Sequence, residues 1–221
     1  MSLKLVIFDM DGVILDTERL ANMAWFVVSD EMNLGLTDED LRGIKGGNYA
    51  RTTKILAKRY GLDKAEKIIQ SKGDKQREIM KAEGGVKLKK GVVELLEFIK
   101  KVGLKCVVAT STRRESATRN LKFTGVYDYF DGFVFGDEVT RSKPDPEVFN
   151  KACEKIGVEK DEAVIIEDSV NGATAAHNGG IRCFVVEDTI HFTSEEDKLA
   201  TKKFDSLLDV MEYLDKNLNT L

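Results

Sequence analysis

Five short apolar runs punctuate the chain, at Leu5–Phe8, Lys105–Ala109, 133–135, 163–166 and Arg182–Val186. In the first of them four consecutive residues are apolar, which predicts a strand buried on both faces. Between most of the runs the apolar positions return at helical spacing. Strands alternating with helices predict an α/β fold, a doubly wound parallel sheet covered on both sides. Such sheets bind ligands beyond the carboxyl ends of their strands.

One interval breaks the rhythm. The first run ends at Phe8 and the second begins at Lys105, far more chain than one crossover of about a dozen residues needs. The pattern there is helical throughout 17–83. It opens with Trp25, Phe26 and Val27, continues through a helix start at Thr37 with Asp40 three residues on, and then through Ile55, Leu56, Tyr60, Ile68 and Ile69. The expectation is an all-helical unit, 17–84, inserted into an α/β core made of 1–16 and 85–221. Gly84, Gly85 and the lysines after them predict a flexible return. Trp25 and Phe26, aromatic at helical spacing, are read as core.

Polar clusters follow four of the strands. Asp9-Met10-Asp11-Gly12 ends the first, and Thr110-Ser111-Thr112 ends the second, just before a helix start near Arg113. Lys143 precedes Pro144 after the third, with a helix expected from Pro146, and Glu167-Asp168-Ser169 ends the fourth. A doubly wound sheet gathers all of them at one rim. Asp9, Asp11, Glu167 and Asp168 then stand against a single lysine, a balance that would force protons onto several of them. Oxygen ligands without nearby histidine or cysteine favour magnesium over zinc, and magnesium commonly completes its shell with substrate phosphate. Thr110, Ser111 and Thr112 at a helix start suit phosphate oxygens, with Lys143 adding a point charge. In this reading Asp9 is the nucleophile and Asp11, two residues on and on the same side, handles protons.

Composition narrows the partner. In 221 residues, 33% charged, the net charge is −4, so no basic field draws in nucleic acid or an anionic membrane, and a small phosphorylated metabolite is the expected substrate. The three cysteines, Cys106, Cys153 and Cys183, are scattered and read as small buried residues. Apolar stretches fall well short of the roughly 18 residues of a spanning helix, and the start lacks a signal-like pattern. A monomeric cytoplasmic protein is the default.

With these four motifs in order along essentially the whole chain, the sequence resembles the haloacid dehalogenase superfamily. Within it the resemblance is to the small-molecule phosphatases and β-phosphoglucomutases that carry a helical cap after the first strand. The resemblance implies Asp9 as nucleophile, Asp11 as acid/base, and Thr110 as phosphate ligand, assisted by the Ser111 backbone. It also implies Lys143 as the motif lysine and a magnesium ion on Asp9, the Asp11 carbonyl, Glu167 and Asp168. The implied sheet order is five-four-one-two-three.

The acceptor separates two activities. Water gives a phosphatase of sugar phosphates or similar esters; a turned sugar hydroxyl gives a β-phosphoglucomutase interconverting β-glucose 1-phosphate and glucose 6-phosphate. Mutases that resemble this chain carry a cap histidine where Ala21 stands, which favours the phosphatase. Arg51 is the candidate for a distal phosphate, although the glycine-rich segment 43–48 beside it does not match the mutase cap. A non-catalytic phosphometabolite-binding protein would be expected to have lost the nucleophile or a metal ligand, and none is lost here. His177, late in its helix, and His191 are read as surface residues.

Overall fold

A computed structural model describes residues 3–44, 49–189 and 191–218. Most of the glycine-rich segment, 45–48, therefore lies outside the described residues. After β1 (Leu5–Phe8) the chain forms α1 (Thr17–Glu31), α2 (Asp38–Ile44), α3 (Tyr49–Tyr60) and α4 (Leu62–Ala82). It then alternates through α5 (Val92–Lys101), β2 (Lys105–Ala109), α6 (Arg114–Phe123), β3 (Gly132–Val134), α7 (Glu147–Ile156), β4 (Ala163–Glu167), α8 (Val170–Gly179) and β5 (Arg182–Val186). It closes with β6 (Lys202–Phe204) and α9 (Leu207–Asn217). The sheet is parallel, in the order β3-β2-β1-β4-β5-β6.

Five strands are those the apolar runs predict, with β3 one residue early and β4 one residue longer. The sixth is an addition. Its Lys-Lys-Phe sequence exposes both lysines, a common way to blunt an edge strand, and so leaves no apolar run to read.

Alternation divides each strand between two cores. Val6, Phe8, Val108 and Ile166 face a cluster completed by Leu95 of α5, Leu121 of α6 and Val210 of α9. Leu5, Ile7, Val107 and Ile165 face the other, with Phe149 of α7 and Ala173 of α8. Burial on both faces is what the continuous apolar runs require. All three cysteines are buried and unpaired.

The four helices between β1 and α5 have a hydrophobic cluster of their own around Trp25, Val28, Leu41, Leu56 and Ile68. Thr37 and Asp40 form the expected reciprocal cap: the Thr37 N–H donates to Asp40 at 2.9 Å and the Asp40 N–H to Thr37 Oγ1 at 3.2 Å. Trp25 is core as expected, but Phe26 is 48% exposed. On α1 the buried stripe runs through Leu20, Ala21, Ala24, Trp25 and Val28, and Phe26 falls to one side of it.

The return from the helices is also tighter than its glycines suggest. The Asp16 N–H donates to Lys87 O at 2.9 Å, the Lys89 N–H donates to Ile14 O at 2.9 Å, and Leu15 bridges Leu88 in antiparallel fashion. Arg19 on α1 reinforces this ribbon, donating to Asp16 at 2.9 Å and to both carboxylate oxygens of Glu83 at 2.9 and 2.6 Å. Among the described residues no helix is long and apolar enough to cross a membrane.

Candidate active site

Register brings the motifs together. Phe8 is level with Val108 on one side and Ile166 on the other, so Asp9 emerges beside Glu167, with Thr110 one residue beyond on β2. The Asp9 N–H is held by Ile166 O at 2.9 Å and the Thr110 N–H by Val134 O at 3.0 Å. β1 is where the chain stops adding strands on one side and starts on the other, the switch point at which open α/β sheets leave a crevice.

Lys143 ties the buried side of this crevice. Its ammonium is 2.6 Å from Asp9 Oδ1 and 2.6 Å from Glu167 Oε1, over the Phe149 ring, and the residue is 2% exposed. Glu167 Oε2 accepts from the Asp168 N–H at 2.9 Å, the Ser169 N–H at 2.8 Å and the Ser169 hydroxyl at 3.0 Å. Each oxygen of this fully buried carboxylate is satisfied, which burial demands. Ser169 also caps α8, its Oγ accepting from the Gly172 N–H at 3.1 Å.

Two glycines make the packing possible. A Cβ on Gly172 would overlap the Glu167 carboxylate, and one on Gly12, at φ +85°, would overlap that of Asp168. Gly12 closes the Asp9-Met10-Asp11-Gly12 motif; Gly172 carries no signal in the sequence beyond a glycine in the first turn of a helix.

Asp11 takes two hydroxyl donors, Thr17 Oγ1 at 2.6 Å on Oδ1 and Thr112 Oγ1 at 2.7 Å on Oδ2. Thr112, expected as a phosphate ligand, directs its hydroxyl to Asp11 and its N–H to Thr110 Oγ1 at 3.0 Å, and it lines the same cavity. Thr110 is 1% exposed at the floor, with Ser111 beside it in the cavity wall.

The electrostatics are those of crowded acids. Burial pushes the Asp9 carboxyl up to about 8, with Glu167 and Asp11 adding to it and Lys143 opposing. Asp168 is also raised well above the carboxylate range, first by burial and then by the charges of Glu167, Glu18, Asp9 and Asp188. Burial works against the charge of Lys143, but Asp9 and Glu167 outweigh it and raise its pKa above that of an ordinary lysine. One buried ammonium does not offset the set. Asp9, Glu167 and Asp168 each offer an oxygen, all within 4.8 Å of one another. Three converging carboxylates fit a hard divalent cation.

A cavity of about 490 Å³ opens above these groups. Its floor includes Asp9, Asp11, Thr110, Ser111, Thr112, Lys143, Glu167 and Asp168; the helical insertion supplies Thr17, Glu18, Ala21, Tyr49, Lys72 and Gln76. Arg51 is not among the described lining residues. Lys72, which the sequence reading passed over, is the cation that α4 contributes. Its ammonium lies 5.5 Å from the Trp25 ring centroid and 2.6 Å from Gln76 Oε1. Burial lowers its pKa, while Glu18 and Asp11 oppose that shift. Nothing in sequence separates this lysine from the solvated ones around it. His177 and His191 are both exposed, and His191 Nδ1 lies 2.9 Å from Glu187.

The family of haloacid dehalogenase-like hydrolases matches residues 6–186, and the chain belongs to it. It is 34% identical to a phosphorylated carbohydrates phosphatase of Thermotoga maritima over 176 residues, covering 80% of this chain and 81% of that one. It is 28% identical to the validoxylamine A 7'-phosphate phosphatase of Streptomyces hygroscopicus, with 93% and 92% covered. Among solved structures, a hydrolase from Pseudomonas syringae superposes with a TM-score of 0.82 at 26% identity, over 98% of this chain and 99% of that one. A β-phosphoglucomutase from Clostridium difficile shares the fold, with a TM-score of 0.79 at 22% identity over 98% and 97%.

Proposed function

We propose that this protein is a divalent-cation-dependent phosphatase of small phosphorylated carbohydrates or similar esters, working through a phosphoryl group carried on Asp9. The observation that carries the reading is the convergence of Asp9, Thr110, Lys143 and Asp168, from four strand ends, on one cavity. The phosphatases among its relatives support it.

Asp9, Glu167 and Asp168 would hold the cation with the Asp11 carbonyl, and magnesium suits the all-oxygen set. When bound, the ion supplies positive charge that keeps the carboxylates ionised and draws a phosphate group to them. An oxygen of Asp9 attacks phosphorus and the ester P–O bond breaks, with Asp11 giving its proton to the leaving oxygen. Water then attacks phosphorus, the bond between it and the Asp9 oxygen breaks to free inorganic phosphate and the carboxylate, and Asp11 takes the proton from the water. Thr110, Ser111 and Lys143 offset charge on the phosphoryl oxygens. Uncatalysed hydrolysis of phosphate monoesters is so slow that the site must supply on the order of 20 kcal/mol, chiefly by such electrostatic contacts. Residues 17–84 act as the cap, closing water out and contacting the leaving group.

Phosphate release over a panel of sugar phosphates, with glucose 6-phosphate formation from β-glucose 1-phosphate followed in parallel, tests the reading. The expected result is phosphate release that EDTA stops, magnesium restores and Asp9→Asn abolishes. Activity that survives chelation or Asp9→Asn overturns it, and glucose 6-phosphate formation without phosphate release makes the protein a mutase.

A further inference from the structure

Lys72 and Gln76 stand one turn apart on α4, on the same side of the helix and both in the cavity wall. The Lys72 ammonium donates to Gln76 Oε1 at 2.6 Å, and Gln76 Nε2 donates across to the backbone carbonyl of Thr17 at 3.4 Å. Thr17 in turn donates its hydroxyl to Asp11 at 2.6 Å. A chain of contacts thus runs from the cation on the cap side of the cavity to the carboxylate that handles protons.

The polarity of the chain singles out Gln76. An ammonium only donates and a carbonyl only accepts, so the group between them must accept at one end and donate at the other. An amide does both, and the two neighbours leave it one orientation. A carboxylate of the same length keeps the bond from Lys72 but sets negative charge against the Thr17 carbonyl; an alkyl side chain makes neither bond. Ala21, also in the wall, has no side chain able to make either contact.

We propose that Gln76 is a positioning residue that couples Lys72, where the leaving group meets the cap, to the orientation of Asp11 through Thr17. The inference rests on the phosphatase reading above. A leaving group that reaches Lys72 pulls on Gln76 and through it on Thr17, setting Asp11 when a proton must be delivered. The need for that proton depends on the leaving group. A sugar or polyol leaves as a poor anion and depends on the general acid, whereas p-nitrophenolate is stable as its anion and depends on it little.

The test compares Gln76→Leu and Gln76→Glu with the wild type on two substrates: p-nitrophenyl phosphate, and the alkyl phosphate of the panel that the wild type turns over fastest. General-acid contributions are typically about a hundredfold or more, so partial misalignment of Asp11 is expected to lower kcat on the alkyl phosphate about tenfold in both variants. The loss on p-nitrophenyl phosphate is expected to be at least about fivefold smaller, because little of that barrier needs the acid. KM for the alkyl phosphate should rise in Gln76→Leu and change less in Gln76→Glu, which still holds Lys72. Combining Gln76→Leu with Thr17→Val should cost no more in kcat than the worse single change, as for residues acting in series. Thermal unfolding of each variant separates these effects from misfolding. Equal slowing of both substrates, or additive losses in the double variant, overturns the coupling and leaves the phosphatase reading intact. A wild type inactive on both substrates removes that reading and this inference with it.

Discussion

Thr17, the first residue of α1, donates its hydroxyl to Asp11 at 2.6 Å. The residue that begins the helical insertion therefore helps aim a carboxylate at the sheet edge. Thr17→Val keeps the shape and removes the bond, leaving Thr112 as the one hydroxyl donor on Asp11. Steady-state kinetics on an alkyl phosphate should show kcat down about tenfold with KM little changed, the pattern of a contact that matters for proton delivery.

Among the described residues Lys143 is the one ammonium against Asp9 and Glu167, and all three are buried. Lys143→Met fills similar space and leaves two carboxyl groups without a counter-charge. Urea unfolding in the absence of divalent ions should show a loss of about 3–5 kcal/mol, the usual cost of breaking a buried pair from one side. A loss below about 1 kcal/mol would mean that the pairing is worth no more than an exposed one.

Gly172 has no chemistry of its own, yet its missing Cβ is where the Glu167 carboxylate sits. Gly172→Ala should favour the helix slightly and still destabilise the protein by about 1–3 kcal/mol through overpacking. Because Glu167 also fixes Lys143 and the backbone of Asp168, phosphatase activity should fall further than stability alone explains. Thermal unfolding and activity measured together read the two effects.

Away from the cavity, Glu187 anchors the segment after β5, receiving the Phe192 N–H at 3.0 Å and pairing with Lys203 and His191. Burial pushes its carboxyl up, but Lys203, the Phe192 N–H and His191 outweigh that and hold it down at about 2. A depressed carboxyl stabilises above its unfolded value and loses that contribution as pH falls through the folded one. Glu187→Gln should therefore cost about 1–2 kcal/mol at pH 7, with the gap to wild type closing between about pH 4.5 and pH 2 in a urea unfolding series.

What the sequence made legible follows from how local each signal is. The buried strands are continuous apolar runs, and the acids Asp9, Asp11, Glu167 and Asp168 are conspicuous because each pair directly ends such a run. β6 escaped notice because its exposed lysines hide a strand three residues long. Phe26 was misjudged because periodicity sets the width of a buried stripe loosely at its margins. Lys72 and Gln76 go unassigned, and the bond from Thr112 to Asp11 goes unread, since the groups they meet across the cavity lie in distant parts of the chain and only the fold brings them into reach.

The antiparallel ribbon formed by Leu15 and Leu88 has a further meaning for how such proteins diversify. The 17–84 detour departs and rejoins at points no farther apart than neighbouring strands, roughly 5 Å, so the sheet registers it as a closed excursion. Exchanging or remodelling that excursion leaves the pairing of β1 with β2 and β4 untouched. Under the proposed function, the chemistry sits at the sheet edge and the excursion meets the leaving group, so either can change without re-pairing the strands, and the two are joined at one doorway.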